Sequence, residues 1–296
     1  MKAAHLPDRG VVKVVGDPAR GFLQGLLTAD VDKLGPDDAR FAALLTPQGK
    51  IVVDFIVVEA PAADGGGFLL DCPRALAGAL AAKLNFYKLR ARLEIADLSG
   101  ALAVLAVWDG AARSGGGLCY GDPRLPALGG RVILPPGAIV QAAADLKAEL
   151  VGADAYEVHR IALGIPRGGL DFAYGDAFPH ETDMDQLGGV DFAKGCYVGQ
   201  EVVSRMQHRG TARTRIVPLA YEGFAPDPGT PVTAGDKTVG TLGSSAGGRA
   251  LAMLRLDRVE DALAAATPLV AGGTALRLVK PDWARFAFPG APKAAE

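Results

Sequence analysis

Apolar positions in the first part of the chain follow two periods. Residues 11–15 are β-branched and favour a strand, whereas residues 22–27 place large apolar side chains on one helical face. The apolar segments 41–45 and 51–58 flank Thr46-Pro47-Gln48-Gly49, which suits a type I turn between two strands. The pattern therefore predicts a strand, a helix and a β-hairpin in succession.

A helix followed by a strand is predicted over the next segment. After Pro73, leucines recur every four residues at positions 76, 80 and 84, which is a helical spacing. Apolar side chains then alternate with charged ones, and this period of two predicts a half-buried strand that contains Leu89, Ala91, Leu93 and Ile95.

A second series of elements follows residue 100. An apolar run at 101–108 and a short one at 131–134 predict strands, and a helical stretch is expected near 154–163. Two small α+β units therefore precede residue 170. The segment 168–190 has no clear period, and loops of this length are uncommon unless they are functional.

The helical period disappears from Arg213 onward. Short apolar runs separated by Gly, Pro and Asp turns occupy 215–221, 237–242, 249–256 and 274–279. Several short strands at this spacing predict a small barrel or sandwich, and residues 285–296 predict a frayed tail.

Composition narrows the class of protein. The 296 residues are 49 % hydrophobic and 22 % charged, enough for a sizeable core and about two domains. The net charge of −2 excludes a globally basic nucleic-acid binder. No run of about 18 uncharged apolar residues occurs, so neither a spanning segment nor a membrane partner is expected.

Cysteine usage and the first residues predict a reducing compartment. Cys72, Cys119 and Cys196 are far apart and form no CxxC pair, which argues against a disulfide framework. Residues 1–8 lack the apolar run of a signal peptide. We therefore expect a cytoplasmic protein with reduced thiols.

The segment around Cys196 carries the most specific chemistry. A short helix is expected to begin at Gly199 and to end at Gly210, so Cys196 would lie just before a helix N-terminus, with Lys194 two residues upstream. Both features stabilise a thiolate and make a lowered thiol pKa one hypothesis. A buried cysteine that fills a tight turn is the alternative.

Charged residues near this segment have two interpretations each. No acidic residue lies between Val202 and Tyr221, whereas four arginines do: Arg205, Arg209, Arg213 and Arg215. They favour an anion such as a glutamate tail, a phosphate or RNA, or they form a solvated helix face and an edge strand. The acids of segment 179–185 either bond a heterocycle or are solvated. The histidines lack metal-ligand spacing, so no metal site is expected.

One segment resembles a family signature. It reads Lys194-Gly195-Cys196-Tyr197-Val198-Gly199-Gln200-Glu201, with Arg205 four residues later, and it is similar to the signature of the YgfZ family. Those proteins bind folate and are related to the aminomethyltransferase (T-protein) of the glycine cleavage system. Segments 22–30 and 45–50 resemble the family's N-terminal part, and segments 164–166 and 179–181 resemble its middle.

The resemblance implies a fold and its division into domains. We expect an α+β, aminomethyltransferase-like fold, with two ferredoxin-like α+β units and a C-terminal small β-barrel around a central funnel. The expected modules are a first module of residues 1–97 with 151–212, a second ferredoxin-like unit of 98–150, a barrel of 213–284 and a tail of 285–296.

The resemblance also implies a function. It indicates a tetrahydrofolate-binding accessory protein for the assembly or repair of iron–sulfur clusters, with an indirect role in tRNA modification. The cofactor would be tetrahydrofolate or a one-carbon derivative of it. Iron–sulfur client enzymes or cluster-assembly proteins would be the partners of a monomeric protein, and direct RNA binding is not expected.

Individual residues inherit expectations from the same resemblance. The positions that match the motif are Lys194, Gly195, Cys196, Tyr197, Gly199, Gln200, Glu201 and Arg205. Cys196 is the position expected to matter most, as a thiolate with an open role. Glu181 matches a glutamate that contacts the pterin in the T-protein, and Tyr197 and Arg213 are further candidates for folate contacts.

Two other functions remain open. A folate-dependent aminomethyltransferase or methyltransferase would need an acid near the folate nitrogens, and Asp71 stands at a plausible strand end. An RNA-binding module would use the arginines, but it lacks interleaved aromatic residues. We favour the accessory function over classical aminomethyl transfer.

Overall fold

The computed structural model describes residues 1–110, 116–210 and 212–290, which form two compact units. Unit 1 consists of Met1–Tyr156 and Leu187–Gln200. Unit 2 consists of Glu157–Gln186 and the described residues from Glu201 onward. The last part of the predicted tail, 291–296, lies outside the described residues.

Unit 1 is an α+β unit with two five-stranded sheets. Its strands are β1 (Lys2–His5), β2 (Arg9–Val15), β3 (Ala39–Leu45), β4 (Ile51–Glu59), β5 (Phe68–Pro73), β6 (Glu94–Asp97), β7 (Ala103–Trp108), β8 (Leu118–Gly121), β9 (Gly130–Leu134) and β10 (Glu149–Val151). Its helices are α1 (Ala19–Gln24), α2 (Arg74–Tyr87) and α3 (Ile139–Asp145).

The two sheets of unit 1 differ in strand direction. The first has the order β3-β4-β5-β2-β6 and is antiparallel throughout. The second has the order β10-β1-β7-β9-β8, in which β1 and β10 run parallel. Leu80 and Leu84 of α2 are buried in one core with Phe55 and Leu70 of the first sheet. The helical leucine spacing therefore identifies the face that packs on the sheet.

The predicted hairpin is confirmed by β3 and β4. Leu44 lies opposite Val53 in the antiparallel ladder. Thr46 N donates to Lys50 O at 2.8 Å, and Gly49 closes the turn with a φ of +82°, a conformation that favours glycine.

The strand predicted over residues 89–95 is wrong in its first half. Ala91 N donates to Lys88 O at 2.8 Å, so the chain turns after α2, and β6 begins only at Glu94. Leu93 is buried, as the alternation required, but Leu89 is exposed. The alternating apolar residues therefore belong to two structures, the turn after α2 and strand β6, rather than to one strand.

Unit 2 contains a closed barrel and an irregular segment. Helix α4 (Ala153–Ala162) begins in unit 1 and ends in unit 2, and α5 (Gln200–Arg209) crosses the second boundary. Between them, residues 168–190 carry neither a helix nor a strand, as predicted, and 168–186 of this segment belong to unit 2. Later elements are β11 (Thr214–Tyr221), β12 (Pro231–Ala234), β13 (Lys237–Ala246), β14 (Arg249–Arg255), α6 (Leu256–Ala264), β15 (Leu269–Ala271) and β16 (Thr274–Leu278).

The barrel confirms the prediction for the C-terminal region, with one correction. Its strands close in the order β11-β14-β13-β12-β15-β16. The expected loss of helical structure after Arg213 is wrong, because α6 follows β14 directly and buries Val259 and Ala262. The apolar face of α6 is too short to give a clear helical period, and it directly follows the apolar residues of β14. Across the described residues, no helix is both long and apolar enough to cross a membrane.

Candidate functional site

The motif loop, residues 191–199, belongs to unit 1 and is bonded to the segment after α1. Asp191 N donates to Thr28 O at 2.9 Å, and Thr28 Oγ1 donates to Gly189 O at 2.6 Å. Asp191 Oδ1 accepts bonds from the backbone of Ala193 and Lys194 at 2.8 and 3.1 Å. These bonds fix the start of the loop. Thr28 and Asp191 were missed as site residues, although Thr28 lies in the family-like segment 22–30.

Lys194 holds the loop from inside. Its Nζ donates to three carbonyl oxygens, Gln24 O at 2.8 Å, Leu27 O at 2.6 Å and Ala29 O at 2.8 Å. Burial lowers the pKa of Lys194 to about 8, against the opposing charges of Asp30 and Asp191. The ammonium satisfies the last carbonyl of α1, that of Gln24, and two carbonyls of the segment after the helix. The charge expected beside the thiol is therefore engaged by backbone.

Tyr197 is buried beside the same ammonium group. Lys194 Nζ lies 5.1 Å from the centroid of the Tyr197 ring, which is a cation–π distance. Burial, and then the charge of Asp191, raise the pKa of Tyr197 to about 12, so the phenol is neutral. Gln200 Oε1 accepts a bond from Tyr197 N at 3.3 Å at the start of α5.

The two glycines of the motif have different surroundings. Gly199 has a φ of +83°, and a Cβ at this position would lie 2.5 Å from Thr46 O and 3.0 Å from Leu45 Cβ. Gly195 has open space where a Cβ would stand. Gly199 is therefore required by close approach to the β3–β4 turn, and α5 begins at the next residue, as the glycine predicted.

Cys196 is exposed, whereas the other two thiols are sheltered. Cys72 is buried and Cys119 half-buried, and burial raises the pKa of Cys72 to about 12. Residues 192, 193 and 195 are exposed as well. The alternative in which Cys196 fills a buried turn is wrong, because its side chain lies at the surface. No group of three His, Cys, Asp or Glu side chains suited to a metal occurs within 1–110, 116–210 and 212–290.

The four arginines between Val202 and Tyr221 have different surroundings in unit 2. Arg205 pairs with Glu201 one turn earlier on α5, just outside the acid-free window. Arg215 is buried and faces inward. Arg213 is exposed. Two of the four arginines, Arg205 and Arg215, are therefore paired with carboxylates.

The acidic loop, residues 179–185, surrounds the guanidinium of Arg215. Nη1 donates to His180 O at 2.8 Å and to Asp183 Oδ1 and Asp185 Oδ1, both at 2.9 Å. Nη2 donates to Asp185 Oδ2 at 2.8 Å. The carboxylates of Asp183 and Asp185 are thus internal ligands of an arginine rather than solvated loop groups. The spacing of these residues in the sequence does not predict that Arg215 binds the acidic loop.

Glu181 is a half-buried residue of the acidic loop. Its Oε2 accepts a bond from Phe178 N at 2.8 Å, and its carbonyl oxygen accepts one from Ile216 N at 2.9 Å. The backbone of Glu181 is therefore fixed to β11. His180 Nε2 lies 3.0 Å from Gln207 Oε1 of α5, and burial lowers the pKa of His180.

Asp71 is a structural residue of unit 1. Its Oδ1 accepts a bond from Arg9 Nε at 2.7 Å, and its Oδ2 accepts bonds from Tyr120 Oη at 2.9 Å and from Arg131. Burial opposes ionisation, but the charges of Arg9 and Arg131 outweigh it and lower the pKa of Asp71. Such a carboxylate is a poor proton donor.

The fold and the barrel have recognisable relatives. The structure resembles that of the glycine cleavage system aminomethyltransferase T from Bartonella henselae, with a TM-score of 0.76 and 17 % identity. The match covers 97 % of this chain and 87 % of the other. Residues 213–286 match the family described as CAF17, C-terminal beta-barrel domain. The predicted fold class, an aminomethyltransferase-like α+β fold with a C-terminal barrel, is confirmed.

Sequence relatives define the family within this fold class. The chain is 30 % identical over 308 residues to the mouse iron–sulfur cluster assembly factor IBA57, mitochondrial, covering 94 % of this chain and 84 % of that protein. It is 36 % identical over 232 residues to the IBA57 homologue of Mycosarcoma maydis, covering 74 % of this chain. The chain belongs to the IBA57 family.

The chain spans 57 % of the length of the Mycosarcoma maydis protein and 54 % of the Neurospora crassa one, so it matches only part of each.

The expected cytoplasmic localisation is contradicted, because these relatives are named mitochondrial. Reduced thiols are compatible with either compartment, so cysteine usage does not distinguish the two.

Proposed function

We propose that this protein assists the assembly or repair of iron–sulfur clusters in client enzymes, and that Cys196 is the residue that acts on the cluster. The observation that carries the proposal is an exposed thiol on a loop fixed by Lys194 and Gly199. Thiolates are the usual ligands of iron–sulfur clusters, and binding to iron releases the thiol proton. The names of the IBA57 relatives support the same role.

The cluster would be cargo rather than a resident group. A cluster iron needs several ligands, and the described residues offer no group of three around which one could be held. Cys196 would therefore supply one thiolate, and an iron–sulfur assembly protein or client enzyme would supply the others. An effect on tRNA modification would follow indirectly, through a client enzyme that contains a cluster.

Glu181 of the acidic loop and Arg213 are the residues proposed to hold a tetrahydrofolate. A pterin presents neighbouring N–H donors, and Glu181 is a half-buried carboxylate, a group that accepts such bonds and whose Oε2 also accepts one from Phe178 N. Arg213 is an exposed guanidinium suited to the carboxylate tail. Bound tetrahydrofolate would supply a carrier for a one-carbon unit, and Glu181 and Arg213 would hold it.

The accessory role is preferred over aminomethyl transfer. A transferase needs an acid that exchanges a proton near the folate nitrogens. Asp71 was the candidate, and it is held as a carboxylate by Arg9 and Arg131. Direct RNA binding is disfavoured as well, since Arg205 and Arg215 already have acidic partners.

Complementation with matched cysteine variants tests the role of Cys196. Cells that lack the native protein would receive the wild type, Cys196→Ser or Cys119→Ser, and the activity of an endogenous iron–sulfur enzyme would be measured. We expect Cys119→Ser to rescue fully and Cys196→Ser to fail while retaining the wild-type unfolding midpoint. Full rescue by Cys196→Ser would refute the proposed role of the thiol.

Folate binding is tested separately on the purified chain. Titration with tetrahydrofolate, followed by intrinsic fluorescence, should give saturable binding that Glu181→Gln weakens about tenfold. Cys196→Ser should bind as the wild type does. Absence of saturation at millimolar ligand would remove the folate part of the proposal and leave the role of Cys196 to the complementation result.

A further inference from the structure

Helix α2 has an apolar surface on the side that faces solvent. Its inner residues, including Leu80 and Leu84, are buried in the core of unit 1. We define the outer face of α2 by five exposed residues, Ala75, Gly78, Ala79, Ala82 and Phe86. The Phe86 side chain is 76 % exposed. A surface helix normally has a polar outer face, so this surface is not explained by the packing of unit 1.

Leu89 extends the same surface beyond the end of the helix. Its side chain is 85 % exposed, and its φ is +47°. A leucine is disfavoured in this left-handed conformation, which glycine usually adopts after a helix. Two large apolar side chains therefore project within three residues of each other. Neither projection adds to the core.

Positive charge surrounds these two projections. The segment 74–93 contains Arg74, Lys83, Lys88, Arg90 and Arg92 and no acidic residue, in a chain of net charge −2. Arg90 and Arg92 are exposed, and neither has an ion-pair partner among the residues that the structure describes. The acids that follow on β6 are Glu94, which is exposed, and Asp97, whose carboxylate lies near Gly78 in the first half of α2. Four of the five cations therefore lie between positions 83 and 92, at the end that carries Phe86 and Leu89, beside the single acid Glu94.

We propose that the outer face of α2, together with Leu89, Arg90 and Arg92, binds the surface of an anionic lipid bilayer. Phe86 and Leu89 would enter the boundary between headgroups and acyl chains, and the cations would pair with the headgroups. The expectation of no membrane partner rested on the absence of a spanning segment. Binding at the lipid surface needs no such segment.

Other occupants fit this surface less well. A second copy of the chain would bring two sets of uncompensated cations together. A nucleic acid would find a single stacking partner, Phe86, since Leu89 and the alanines have no aromatic face. The Asn85 amide already donates to Ala81 O at 3.0 Å and to Ile95 O at 3.3 Å. Charge and apolar projection together therefore favour an anionic membrane.

Vesicle sedimentation with the full chain tests the proposal. One set of vesicles would contain phosphatidylcholine alone, and the other would contain about 30 % phosphatidylglycerol. We expect at least about tenfold stronger partitioning to the anionic set, falling as salt is raised. Phe86→Ser with Leu89→Ser should reduce partitioning about thirtyfold or more. Arg90→Gln with Arg92→Gln should reduce it about twenty-fivefold, at about fivefold per cation.

Matched controls come from unit 2. Phe224 is 93 % exposed and Arg277 is exposed, so Phe224→Ser and Arg277→Gln remove the same kinds of side chain elsewhere. Both should partition as the wild type does. Equal partitioning to the two vesicle sets, or equal losses in the control variants, would overturn the proposal. So would a tRNA affinity that the α2 variants abolish in a chain that binds no vesicles.

Discussion

Arg215 Nη1 donates to Asp183 Oδ1 at 2.9 Å, while the other carboxyl oxygen of Asp183 has no hydrogen-bond partner among the described residues. The same guanidinium binds Asp185 through both of its outer nitrogens. One cation cannot neutralise two carboxylates, and Asp183 is the fully buried member of the pair. Burial raises the pKa of Asp183 well above its usual range, against the opposing charge of Arg215.

Stability should therefore depend on pH through Asp183. The folded pKa of Asp183 lies above the unfolded value of 3.8, so stability falls as the pH rises from that value towards the raised folded pKa. The wild type should lose up to about 1.4 kcal/mol per pH unit more than Asp183→Asn in this range. Urea unfolding between about pH 4.5 and 6.5 measures the difference.

The control for this prediction is an exposed carboxyl group in the same unit. Asp236→Asn should keep the wild-type slope, because Asp236 lies at the surface. Parallel slopes for wild type and Asp183→Asn would mean that Asp183 is ionised in the folded protein.

Lys194→Met should destabilise unit 1. The change leaves three carbonyl oxygens without their donor, and at about 1 kcal/mol for each lost bond the expected loss is about 3 kcal/mol. Denaturant unfolding measures it. Lys33→Met is the matched control, since Lys33 is an exposed lysine that pairs with Asp30 and Asp191, and its midpoint should hardly move. Equal midpoints for the two variants would contradict the role of Lys194.

Gly199→Ala and Gly210→Ala separate steric from conformational cost. Both glycines have positive φ, +83° and +58°, but only Gly199 has backbone within 3.0 Å of a Cβ position. Gly210→Ala should cost about 1 kcal/mol, and Gly199→Ala at least about 2 kcal/mol more. Thermal or urea unfolding gives both values. Similar losses would show that the β3–β4 turn moves aside readily.

The three thiols should differ in reactivity. With a disulfide reagent at neutral pH, Cys196 should react first, Cys119 more slowly, and Cys72 only after unfolding, because exposure and thiolate formation control the rate. Cys196→Ser should remove the fast phase and leave the later ones unchanged. A fast phase that persists in Cys196→Ser would place the reactive thiol elsewhere.

Local sequence patterns correctly predict several of the strands. The β3–β4 hairpin and the strands β11, β13, β14 and β16 follow from apolar runs bounded by turns. The strand predicted over 89–95 failed because Leu89 obeys the apolar alternation without being buried. Helix α6 was missed because its buried face is limited to Val259 and Ala262.

The candidate site likewise contains features that local sequence predicts and contacts that it does not predict. The glycine at 199 and the helix after it were predicted from local sequence and are present. The contacts of Lys194 with Gln24, Leu27 and Ala29, and those of Arg215 with Asp183 and Asp185, join residues far apart in the chain. The spacing of residues in the sequence does not predict these long-range pairs. From the sequence alone, Lys194 and Arg215 therefore look like cations that are available to a thiolate or an anion. The predicted roles of Cys196, Glu181, Tyr197 and Arg213 stay predictions.

The bonds of Lys194 also set an order of events during synthesis. Its acceptors precede it by 165 to 170 residues, so they leave the ribosome about 10–30 s before Lys194 does. Through that interval the end of α1 lacks its cation, and β1 has its parallel neighbour only after residue 149 is made. A nascent chain that ends before residue 194 therefore carries an incomplete unit 1.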